Sequence, residues 1–106
     1  EDDPDMTSTL ANTAWILATA ADDKLRDASK AMQHAKRAVE LSKRDDPSIL
    51  QVLAGAHAAA GEFDQAVASC VEAAKLARAK GNEGLASSIE ALQRQFEQKQ
   101  PFRQSR

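Results

Sequence analysis

His34, His57 and Cys70 are the residues of this chain whose types most readily do chemistry. Cysteine catalysis needs a thiolate with a base in hydrogen-bond reach, so Cys70 and His57 form the one nucleophile pair to weigh. No recognisable motif surrounds Cys70, and no third group stands out to orient the base. Asp22-Asp23 and Asp45-Asp46 pair carboxylates in sequence. Neither pair has the spacing of a calcium loop, and no close set of Cys, His and carboxylate ligands suits zinc. Both pairs read as helix caps and solvated turn residues. Gly55, Gly61, Gly81 and Gly84 are not grouped into a phosphate-cradling loop. The expectation is a non-enzymatic chain with no metal and no cofactor.

Composition narrows the class. At 106 residues the chain makes one domain with one core. Its formal net charge of -2 argues against a nucleic-acid binder, which would carry a basic stripe. No apolar run approaches the roughly 20 residues of a membrane span, so no membrane insertion by this segment is expected. A lone cysteine excludes an internal disulfide framework. Aromatics make up only 4% and tyrosine is absent, while alanine abounds, so the core must come from Ala, Leu, Ile and Val packed closely between helices. Period-two apolar runs are missing, which removes a β-sandwich. The class is all-α.

Five helices are expected from caps and apolar periodicity. Residues 1–6 read as a disordered acidic lead-in. The first helix starts near Thr7 or Ser8 and turns Leu10, Ala14, Leu17 and Ala18 inward to about Ala20. A charged loop, Ala21 to Arg26, precedes Asp27 as N-cap of the second helix, with Ala31, Ala35, Ala38, Val39 and Leu41 inward and Lys43-Arg44 at its end. Asp46-Pro47 opens the third helix with a cap and a proline at the first helical position. Gly61-Glu62 and Gly81-Asn82 form the next turns, glycine supplying the left-handed residue beyond each helix. The fourth helix spans about Phe63 to Lys80, and the fifth, about Glu83 to Lys99, carries a stripe of Leu85, Ile89, Leu92 and Phe96. Pro101 stops it, and residues 100–106 form a tail.

The segment from Leu50 through Leu53-Ala54 and His57 to Gly61-Glu62-Phe63, then Ala66 and Ala73, resembles a tetratricopeptide repeat, a unit of two antiparallel helices. The first two helices repeat the pattern. Leu10 answers Leu50, Ala14 answers Ala54, Ala31 answers Ala66, Ala35 answers Cys70 and Ala38 answers Ala73. The first unit departs from the family in its turn, where Ala21 to Arg26 replaces the glycine turn, and Thr13 stands where leucine is usual. The resemblance covers roughly Thr7 to Gln98, with repeats over about 7–43 and 46–80 and a capping helix over about 82–99, inside a domain of residues 7–99. The order of segments also looks like the C-terminal repeat segment of large multidomain bacterial proteins. An opening at Glu1 rather than Met suggests a piece of such a protein, and nothing in the sequence fixes its compartment.

The resemblance implies a scaffold that binds a protein or peptide segment in a concave groove lined by the first helix of each pair. The groove positions expected to make contact are Asn12, Trp15 and Thr19 in the first unit, then Gln51, Val52 and Gly55 in the second. Asn12 sits where related modules place an asparagine on a peptide backbone, but Val52 answers it in the second unit, so there is no asparagine ladder. Trp15 either anchors a partner in the groove or fills a gap under the Ala21–Arg26 loop. The resemblance also places His57 where a large aromatic packs, which makes it a core or near-core residue, with His34 on a helix surface. The competing readings are a self-associating module that forms a homo-oligomer through its first hairpin and, ranked last, an enzyme of unrecognised type.

Overall fold

The computed structural model describes residues 4–20 and 27–101. Five helices follow in chain order: α1 (Pro4–Thr19), α2 (Ala28–Leu41), α3 (Pro47–Ala59), α4 (Phe63–Ala79) and α5 (Glu83–Glu97). All regular structure among the described residues is helical. None of these helices is long and apolar enough to cross a membrane.

Local chemistry sets most of the boundaries. Asp27 Oδ1 accepts from the Lys30 backbone N–H at 3.0 Å, and Asp46 Oδ1 accepts from that of Ser48 at 2.9 Å, satisfying donors that the first turns of α2 and α3 leave unpaired. Asn82 Oδ1 does the same for Leu85 at 3.1 Å. Gly61 and Gly81 sit at φ 81° and 80°, the left-handed conformation that ends α3 and α4 at little steric cost. The turns at Arg44–Asp46, Gly61–Glu62 and Gly81–Asn82 therefore fall where the sequence puts them, whereas Ala21–Arg26 lies outside the described residues.

Three expectations need correction. Helix α1 begins at Pro4, not at Thr7 or Ser8, so part of the supposed acidic lead-in is helical. A proline at the first helical position forfeits no intrahelical bond. Helix α5 ends at Glu97, not Lys99, because Lys99 takes φ 59° and the Gln100 N–H reaches back to the Gln95 carbonyl; Pro101 is not what stops it. Lys43 and Arg44, expected at a helix end, instead form a left-handed pair at φ 57° and 54° after the Ser42 cap. That conformation costs a non-glycine residue about 1–2 kcal/mol. Two interactions offset it: the Arg44 N–H donates to the Val39 carbonyl at 3.0 Å, and the Arg44 guanidinium grips both oxygens of Glu72 at 2.6 and 3.1 Å.

Helices α1 and α2 pack as one hairpin and α3 and α4 as a second, with α3 touching both members of the first and α5 lying along α4. Small side chains make this contact possible. Ala14, Ala31, Ala35 and Ala38 in the first hairpin, with Ala54, Ala66, Cys70 and Ala73 in the second, are all fully buried. Leu50 fills the space between hairpins, and Ile89 and Phe96 of α5 seal α4 from solvent. Leu41, expected inside, is only half-buried, and in α4 Ala77 takes the core place beside a half-buried Leu76. Helices α1, α3 and α5 form one layer. On the other side α2 and α4 make no direct contact, so a cleft opens between them over α3.

Candidate functional site

Trp15 marks the site on the α1, α3 and α5 layer. Its indole lies on Gly55 so closely that a Cβ there would stand 2.7 Å from the ring carbon Cζ3 and 3.2 Å from Cε3. The absence of a side chain at 55 is what lets the ring settle onto α3. The same ring also borders a hollow of about 290 Å³ lined by Trp15, Gln51, Ser88, Ala91, Leu92 and Gln95. Ser88, Ala91, Leu92 and Gln95 share one face of α5 by their spacing of three and four residues. Every lining residue is uncharged. The floor is indole, methyl and isobutyl, and the rim is amide and hydroxyl.

The expected groove residues divide. Trp15 and Gln51 meet in the hollow. Asn12 is exposed on α1 and Val52 is half-buried against the core, both outside the hollow. Thr19 is 1% exposed, and its hydroxyl donates to the Trp15 carbonyl at 2.6 Å, so it holds α1 together and offers nothing to a partner. Gly55 is buried beneath Trp15. The indole fills the space above Gly55 and borders the hollow. The loop it was to lie under is outside the described residues. Sequence reasoning missed the wall supplied by α5, because a helix taken as a cap is read for its buried stripe alone. The signal was present in Ser88, Ala91 and Gln95, which recur at helical spacing on the side of α5 away from Ile89.

The chemistry-bearing residues lie elsewhere. Cys70 is fully buried, and burial, with the Glu97 charge adding to it, pushes its thiol up to about 12. Such a thiol is no nucleophile at neutral pH. No hydrogen bond joins it to His57, whose Nδ1 instead donates to Glu62 Oε1 at 2.9 Å. His57 is near-core, its side chain 16% exposed, and His34 is half-buried on α2. Asp46 caps α3, and Asp45 pairs with Lys80 Nζ at 3.3 Å. Exposed ion pairs tie neighbouring elements together: Arg44 with Glu72, and Arg78 with both Glu83 and Glu90. The Arg44 hydrogen bond holds the Glu72 carboxyl below the usual range.

No family model, curated protein or solved structure matches the chain.

Proposed function

We propose that this chain is a non-catalytic protein-interaction module of tetratricopeptide type, part of a larger protein, which holds a peptide or protein segment against the α1, α3 and α5 layer. The hollow bordered by Trp15 carries the reading. Tryptophan is enriched among residues that dominate binding energy, because its large rigid surface loses little entropy on contact. Gln51 and Gln95 each combine donors with an acceptor, which suits the alternating N–H and C=O groups of an extended peptide. Gln95 already gives one N–H to the Pro101 carbonyl at 2.9 Å and keeps its second N–H and its oxygen for a partner. With no charge in the lining, the favoured segment is uncharged where it enters and brings a small apolar side chain to the indole.

Trp15 is the only tryptophan and tyrosine is absent, so near-ultraviolet emission reports this site alone. Peptides selected from a random library on the immobilised chain should shift the Trp15 emission saturably. Tight binders that leave the emission unchanged would place the interface elsewhere. A second reading, self-association, has its own observation: Met6 and Ile16 expose 49% and 52% of their surface on α1. Sedimentation at rising concentration separates the two, the first reading requiring the mass of one chain throughout.

A further inference from the structure

We infer that the segment following α5 is an internal occupant of the hollow, which brings the Phe102 ring against Trp15 and Ala91 and which a partner must displace. The displacement rests on the reading of the hollow as a binding site; the occupancy does not. Phe102 lies outside the described residues, and the chain up to Pro101 carries the argument. Helix α5 stops at Glu97, and the chain then folds back instead of running on past the helix end. The Lys99 N–H donates to the Phe96 carbonyl at 2.8 Å and the Gln100 N–H to the Gln95 carbonyl at 3.2 Å. Lys99 takes φ 59° to allow this, a left-handed conformation that non-glycine residues resist. The Gln95 side chain fastens the returning segment, its Nε2 donating to the Pro101 carbonyl at 2.9 Å.

Gln95 is a wall of the hollow, so the chain is held on the face of α5 that turns towards Trp15. Pro101 is half-buried there. The chemistry of the segment matches the lining. Gln100, Pro101 and Phe102 are a run of three uncharged residues between Lys99 and Arg103, and the hollow carries no charge. Its apolar surface is the Trp15 indole with Ala91 and Leu92, and Phe102 comes one residue after the anchored carbonyl, its Cα about 3.8 Å from that of Pro101. Two aromatic rings in contact gain more than their buried area alone supplies. A ring tethered so close to the rim meets the hollow at an effective concentration in the millimolar range, so even a weak contact is well populated. The apparent affinity of any partner then falls with the fraction of chains whose hollow is open.

The test is NMR of the full chain, with Phe102→Ala and Phe102→Leu beside it. In the native chain, nuclear Overhauser contacts should join the Phe102 ring protons to the Trp15 indole and the Ala91 methyl. Trp15 emission should change in Phe102→Ala with helical content unaltered, because the substitution lies beyond the last helix. A library-selected peptide that shifts Trp15 emission should bind Phe102→Ala roughly three- to tenfold more tightly than the native chain, with Phe102→Leu between them. Absence of contacts from Phe102 to Trp15 and Ala91 would overturn the occupancy, whether or not a peptide binds at Trp15. Equal peptide affinity in all three chains would overturn the displacement. Contacts present in the native chain, with no peptide able to bind at Trp15 even in Phe102→Ala, would uphold the internal occupant and overturn the reading of the hollow as a partner site.

Discussion

Gly55→Ala sets two well-sized effects against each other at the point where α1 meets α3. Alanine in place of glycine inside a helix gains about 1 kcal/mol of intrinsic propensity. The new methyl, however, would stand 2.7 Å from Trp15 Cζ3 and 3.2 Å from Cε3, well inside van der Waals contact. The ring must tilt towards the hollow or α1 must lift. Overpacking of this kind costs about 1–3 kcal/mol. Taking the middle of that range, the variant should be less stable by about 1 kcal/mol, or about 4–8 °C in Tm, with the Trp15 emission altered. The decisive assay repeats the substitution in a Trp15→Ala background, following urea unfolding by circular dichroism. Once the indole is gone, only the propensity gain remains. Gly55→Ala should then stabilise by about 1 kcal/mol, a reversal of sign and a coupling of about 2 kcal/mol. An identical effect in both backgrounds would refute the packing of Trp15 on Gly55.

Other substitutions read the remaining elements. Ala66→Leu, at a fully buried position on the face that α4 turns to the core, should lower stability by about 1–3 kcal/mol in urea titration. Asp46→Ala removes the side-chain acceptor from the start of α3 and should cost about 1 kcal/mol, with Asp46→Asn losing much less. Cys70 should react with a thiol-specific reagent only as fast as the chain unfolds, and early labelling without denaturant would contradict its burial. Because Arg44 lowers the Glu72 pKa in the folded state, the stability from this pair is complete above the ordinary glutamate value of 4.5 and is lost as pH falls through the lower folded value. Glu72→Gln should therefore cost something at neutral pH, at most about 1 kcal/mol for so exposed a pair, and nothing once the carboxyl is protonated.

Caps, proline and glycine signals act locally, which is why the starts of α2, α3 and α5 and the ends of α3 and α4 were legible in the sequence. The buried stripes through Ala31, Ala35 and Ala38, and through Ile89, Leu92 and Phe96, followed from helical period alone. What escaped depends on contacts distant along the chain. The left-handed Arg44 is held partly by Glu72, on a helix that the sequence does not place beside it. Gly55 reads as a groove position by register, and only the arrival of Trp15 from another helix shows that it is covered. Thr19 likewise faces as its register says, yet its hydroxyl is already bonded. Register gives a direction for a side chain, not what occupies the space ahead of it. The α5 wall of the hollow was missed for the complementary reason: its residues were read for what they bury and not for what they leave facing Trp15.

The most direct test of the proposed function is the affinity of a library-selected peptide for the native chain and for Ala91→Arg, measured by calorimetry. Ala91 is exposed, so arginine there leaves the core intact while placing a long cation in an uncharged hollow. If the hollow receives the segment, Ala91→Arg should weaken binding by about 2 kcal/mol, roughly thirtyfold, with unchanged helical content, and Trp15→Ala should weaken it at least as much. Retention of full affinity by both variants, with the fold intact, would contradict the account.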